Sequence, residues 1–263
     1  MKLVCSTLVA FILGICFVGA VSAQKTWEKP YVKWSKDDAS KIATNSPWAS
    51  TYQSVSGLVA ADQLQIAREQ RDRVNSGGNG RFAGSAARNT PAPVVVRLHS
   101  GLPIRQAITR GRQIAAGYDK MDDQQKKEFD EASRTFLECG ICKKFYVVSI
   151  TSFPDPTSQT VEEAVFEKFT LSDLKGNVSL VNDKGEQREL FQFTPPKKSG
   201  ESAYLFFSRS DENNKLLITQ DTKDFKLVFN SGFFIGSNPY AGALPRTFEF
   251  NVSKLTIGSE LMF

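Results

Sequence analysis

The chain has 263 residues, of which 41% are hydrophobic and 23% charged, with a formal net charge of +5 at pH 7. A chain of this length and apolar content buries a core without a metal or disulfide scaffold, and its ordinary charge content excludes wholesale disorder. The single histidine, His99, excludes any histidine-rich zinc site and leaves one residue through which an imidazole mechanism could run.

Residues 1–23 predict a secretory signal. Lys2 precedes an apolar run from Leu3 to Ala20, and the compact Val21-Ser22-Ala23 stands before Gln24. Cleavage after Ala23 starts the mature chain at Gln24 and makes the protein exported, periplasmic or secreted. Retention as an anchor is the alternative, because about 18 apolar residues approach a membrane span. Bulky Ile15 beside Cys16 argues against a lipoprotein signal. No other run approaches that length, so the mature body is expected to hold no membrane span. Cys5 and Cys16 leave with the signal, and Cys139 and Cys142 remain.

Residues 24–70 form a Trp-bearing N-terminal segment with all three tryptophans, Trp27, Trp34 and Trp48. Ser35 followed by Asp38 has the spacing of a helix N-cap, and Ala39, Ile42 and Ala43 give that helix an apolar side until Asn45-Ser46-Pro47. Residues 52–67 suit either a strand or a helix. The tryptophans have two readings: anchors on the main body, or an aromatic platform for a sugar or peptide. Residues 71–92, rich in Gly, Ser, Asn and Arg, read as a flexible linker. Gly78, Gly80 and Gly84 follow no strand and lack the spacing of a phosphate loop.

Residues 93–263 form the main domain, and its expected class is α+β. Val94–Val96 reads as a buried strand. Pro103 opens a helix with Ile104, Ala107, Ile108, Gly111 and Ala115 on one face. A second helix starts near Asp122, and Phe145–Ile150 is again a strand. This strand–helix–helix–strand unit is followed by a mostly antiparallel β-sheet or sandwich. From residue 145 onward the chain carries 15 of its 20 phenylalanines. There the period becomes two, as in Phe191/Phe193, Phe225/Leu227/Phe229 and Phe248/Phe250. A short helix near residues 161–169 precedes these strands. Turn signals such as Asn182-Asp183-Lys184-Gly185, Asp211–Asn214 and Asn238-Pro239 separate them.

The one motif with chemical content is Cys139-Gly140-Ile141-Cys142, which in an exported protein is expected as a disulfide. Thiol–disulfide catalysis needs a stabilised thiolate, usually at a helix N-terminus. Here the motif follows a helix, whose C-terminal carbonyls raise a thiol pKa, so a structural clip is the expectation. The lysines after Cys142 exclude c-type haem attachment, and zinc lacks its four ligands, so no metal and no cofactor is expected. His99 stands at a strand-to-helix junction, a place for a catalytic base, though no GxSxG elbow supplies a nucleophile. Arg97, Arg105 and Arg112 could hold a carboxylate, phosphate or sulfated glycan. The plainer reading is a solvated face opposite the apolar stripe. Paired carboxylates at helix starts read as capping groups, and export argues against nucleic acid as a partner.

Trp27-Glu-Lys-Pro-Tyr-Val-Lys-Trp34-Ser-Lys-Asp-Asp and Asn45-Ser-Pro-Trp48 resemble the opening of a group of uncharacterised, signal-bearing exported bacterial proteins. The segment Val96–Ala107, the strand Tyr204–Arg209 and the closing Lys254–Gly258 are similar to later parts of that group. The resemblance implies a bacterial envelope setting and brings no catalytic residues. The expected function is a non-catalytic binding or envelope-interaction module, with an envelope component, peptide or glycan as partner. The alternatives are a secreted hydrolase using His99 and a thiol–disulfide protein using Cys139 and Cys142.

Overall fold

The Asp38 backbone N–H donates to Ser35 Oγ at 3.1 Å, and the Ser35 backbone N–H donates back to Asp38 Oδ2 at 3.0 Å. This reciprocal cap satisfies donors that a helix start leaves orphaned, and it opens α1 (Lys36–Thr44) where the sequence places it. Asp122 and Gln125 repeat the device at the start of α3 (Asp123–Glu138). The computed structural model describes residues 25–52, 94–152, 166, 169–198, 200–230 and 247–263. The expected signal over 1–23, the expected linker over 71–92, residues 53–67, most of the helix expected near 161–169 and the expected Asn238-Pro239 turn lie outside the described residues.

The strand–helix–helix–strand unit is β2 (Val94–Leu98), α2 (Leu102–Ala115), α3 and β3 (Phe145–Ser152). It is preceded by β1 (Ala49–Tyr52). After it come the single turn α4 (Leu171–Leu174) and the strands β4 (Val178–Asn182), β5 (Gln187–Thr194), β6 (Ala203–Ser208), β7 (Asp224–Phe229) and β8 (Thr247–Asn251). All eight strands join one antiparallel sheet in the order β1-β2-β3-β6-β5-β4-β7-β8. The α+β class therefore holds, and both halves of the domain share a single sheet. A small ribbon of β9 (Thr256–Ile257) and β10 (Glu260–Leu261) closes the described chain. No helix among the described residues is long and apolar enough to cross a membrane.

Alternation decides which face is dry. Val94, Val96 and Leu98 of β2, Tyr146, Val148 and Ile150 of β3, Leu205 and Phe207 of β6, and Phe225 and Leu227 of β7 all enter one core. The sheet curls around it far enough for Tyr52 on β1 to meet Phe248 on β8, ring centroids 6.3 Å apart, so the architecture is nearly a barrel. Each large side chain removed from water in this core contributes about 2 kcal/mol.

Two expectations are corrected. Phe191 and Phe193 do not share a face: the register shifts between Leu190 and Gln192, so Leu190 and Phe193 pack on the core while Phe191 is 56% exposed. A bulge inserts one residue and reverses the facing of the side chains beyond it. The second correction concerns α2. Gly111 and Ala115 are exposed, whereas Arg105 and Arg110, each 6% exposed, are buried. The helix is covered on a second side by α1, where Ala107 packs with Trp34 and Ile42. Arg110 donates Nε to the Trp34 carbonyl at 2.8 Å and both Nη nitrogens to Asp119.

Candidate functional site

The turn between β2 and α2 is a tight junction. Gly101 is the N-cap of α2, and its backbone N–H donates to Leu98 O at 2.9 Å. A Cβ at this position would lie 2.6 Å from Trp48 Cδ1, 3.0 Å from Leu98 O and 3.1 Å from Met262 O, so only glycine fits without movement. Trp48 closes the junction by donating Nε1 to Met262 O at 3.0 Å. The N-terminal segment, the β2–α2 turn and residues 260–263 thus meet at one end of the sheet.

Beside that junction is a cleft of about 410 Å³ lined by Ser100, Arg105, Cys139, Cys142, Lys143 and Arg209, with Glu138, Glu260 and Phe263 among its other walls. Arg105 donates Nε to Leu137 O at 2.9 Å and Nη1 to His99 O at 3.1 Å, to Ser100 O, and to Cys142 Sγ at 3.7 Å. Its Nη2 has no hydrogen-bond partner among the described residues. Arg209 donates Nε to Cys142 O at 2.7 Å. Its guanidinium lies over the rings of Tyr146 and Phe263, at 4.8 and 5.6 Å. Neither arginine forms an ion pair among the described residues. Burial, then the charge of Arg209, lowers Arg105 to about 10, which leaves it protonated at neutral pH. Ser100 is buried at the same wall, and its Oγ has no partner among the described residues.

Cys139 and Cys142 form a disulfide across the turn that ends α3. Cys139 caps the helix in the left-handed region (φ 45°), and a 3-10 turn, Gly140–Lys143, leads into β3. Arg105, from the neighbouring helix, holds the Leu137 carbonyl at that helix end. The sequence places the motif correctly but contains no sign of this guanidinium, which comes from 37 residues away.

The three arginines singled out in the sequence do not line one cleft, although all three act on His99. Arg97 donates Nε to Ala43 O and Nη1 to Thr151 Oγ1, bracing α1 against the sheet. Arg112 is exposed and lies over the Phe136 ring at 4.8 Å. Only Arg105 reaches the cleft, where its companion is Arg209, a residue that no sequence pattern singled out. The only signal for Arg209 is an arginine closing the apolar strand Tyr204–Ser208. Its place is set by its backbone N–H, which donates to Lys144 O at 3.0 Å beside the disulfide turn.

His99 is 7% exposed and packs edge-on against Phe136 and Tyr204. Burial, and then Arg105, Arg97 and Arg112, push its imidazole down to about 4, so it is neutral at physiological pH. His99 Nδ1 and Ser100 Oγ both lack partners among the described residues, so these neighbours are not hydrogen-bonded to one another. Trp34 and Trp48 are buried, and half-buried Trp27 meets Trp48 edge to face at 5.5 Å. As placed, they hold the N-terminal segment to the body. No group of three or more His, Cys, Asp and Glu side chains suited to a metal comes together among the described residues. No protein-family model, no curated protein and no solved structure matches the chain.

Proposed function

We propose that this is an exported, non-catalytic binding protein whose cleft takes an oxyanion, a carboxylate, phosphate or sulfate carried by an envelope component, peptide or glycan. The observation that carries the reading is the charge state of the cleft. Two guanidiniums face it, their hydrogen bonds go to carbonyls and one sulfur, and no described carboxylate pairs with them. A carbonyl satisfies a donor without cancelling the charge. A bidentate oxyanion would do both, which is the geometry guanidinium favours. The segment 1–23 supports export, and the protein recovered from its host should begin at Gln24 on N-terminal sequencing.

Calorimetric titration with inorganic phosphate, acetate and sulfate tests the site. Saturable binding that weakens as salt rises is expected for at least one of them, with a loss of about tenfold or more in Arg209→Gln. Absence of binding to all three at low ionic strength overturns the reading.

A further inference from the structure

Both arginines of the cleft are hydrogen-bonded to the same residue. Arg105 Nη1 contacts Cys142 Sγ at 3.7 Å, and Arg209 Nε donates to the Cys142 carbonyl at 2.7 Å. In the disulfide that sulfur is neutral and a weak acceptor. As a thiolate it would carry a full negative charge against two cations that lack a carboxylate. We propose that Cys139 and Cys142 are a redox-active pair, and that reduction leaves Cys142 as a thiolate held by Arg105 and Arg209, which closes the cleft to oxyanion ligands. The closing of the cleft rests on the anion-binding reading above; the thiolate itself does not.

The helix end is the argument against a stabilised thiolate, and the structure weakens it at Cys142. The carbonyl of Leu137 in the last turn of α3 is already held by Arg105 Nε, and Cys142 lies beyond the cap, on the 3-10 turn. Among the side chains that line the cleft, the other charged ones are Lys143, which adds to the effect, and Glu138 and Glu260, which oppose it. Both glutamates are exposed and screened by water, whereas Arg105 is buried against the sulfur.

Exposure sets the order of the exchange. Cys142 is buried and Cys139 half-buried, so a thiolate of an external thiol reductant attacks Cys139 Sγ. The S–S bond breaks, its electron pair leaves on Cys142 Sγ, and Cys139 is held in a mixed disulfide. A second reductant thiolate attacks the reductant sulfur of that mixed disulfide and releases Cys139, which takes up a proton. Two reductant thiols have become one disulfide, and the pair has gained two electrons. One of the two thiol protons stays on Cys139 and the other goes to water.

The test is a pH titration of thiolate absorbance in the ultraviolet on the Cys139→Ser protein, with the dithiothreitol-reduced wild type as the second sample should the variant not fold. The expected Cys142 midpoint is more than one unit below the about 8.5 of an unperturbed thiol, moving back toward it in Arg209→Gln and further in Arg105→Gln. A midpoint within a unit of that value or above it overturns the thiolate, and an unmoved midpoint in both arginine variants overturns its cause. Phosphate affinity is then compared before and after reduction of the wild type. A loss of about tenfold or more is expected, and equal affinity overturns the closing of the cleft. If phosphate binds neither form, the anion-binding reading and the closing of the cleft both fail, while the absorbance titration still decides the redox-active thiolate.

Discussion

In the C-terminal half of α2, Arg110 donates Nε to the Trp34 carbonyl and both Nη nitrogens to Asp119, whereas five residues earlier Arg105 donates only to backbone carbonyls and one sulfur. Both side chains are buried to the same extent. At one end the positive charge is cancelled within the fold, and at the other it is satisfied as a donor but left uncancelled beside a cleft. Donor satisfaction and charge neutralisation are separate conditions, and the residue that meets only the first is the one available to a ligand.

Substitutions at the two ends can break or sharpen that contrast. The largest effect is expected for Arg105→Met. Three carbonyls, of Leu137, His99 and Ser100, lose their donor, which should lower stability by about 3–5 kcal/mol in urea unfolding and abolish phosphate binding. A fall under about 1 kcal/mol would mean that those carbonyls do not depend on it.

His99 titrates beside these charges, and burial is the larger reason for its lowered pKa. Its folded-state pKa of about 4 lies below the ordinary 6.5, so between those values the unfolded chain binds a proton that the folded chain does not. Stability is therefore full above pH 6.5 and falls as pH drops toward 4, by about 3 kcal/mol at most. His99→Phe keeps an aromatic ring against Phe136 and Tyr204. Unfolding curves taken across that window should lose this acid dependence, and an unchanged acid limb would mean that the imidazole is not what titrates.

Arg110→Met should cost about 2 kcal/mol and leave phosphate affinity unchanged. Affinity that falls with it would show that the two ends of α2 do not act separately. The smallest effect belongs to Asp119→Asn. The hydrogen bond from Arg110 holds the Asp119 carboxyl below its ordinary 3.8. The stabilisation is present above that value and is lost as pH falls through the depressed one, so the variant should flatten only the most acidic part of the unfolding profile. At neutral pH little change is expected, because the carboxylate is exposed.

Much of the fold is legible along the chain because it is written at short range. The caps at Ser35 and Asp122 involve residues three apart, and the alternation of Phe225, Leu227 and Phe229 needs only the period of a strand. The helix face misread in α2 fails for a reason that lies outside the helix. Trp34 and Ile42 of the N-terminal segment cover a second side of it, where Arg110 is buried, and the end of α3 with the disulfide turn covers Arg105, so both lie buried where one apolar stripe would predict solvent. Phe191 fails at a bulge whose only sign is a register shift against β6. The cleft is the least legible part. Cys139 and Cys142 stand out as a motif, but Arg209 comes to Cys142 from 67 residues away, and Gly101 is needed only because Trp48 and Met262 close on it.

Sequence alone therefore determined the class of the domain, the elements that carry it and the disulfide, since hydrophobic period, capping and cysteine spacing are properties of neighbouring residues. Which arginines share a site, and which of them keep an uncancelled charge, was decided by tertiary structure. The pairing of β3 with β6 and the packing of α2 against α3 bring Arg105, Arg209 and Cys142 within reach, and charge cancellation depends on distances between residues that the chain order does not contain.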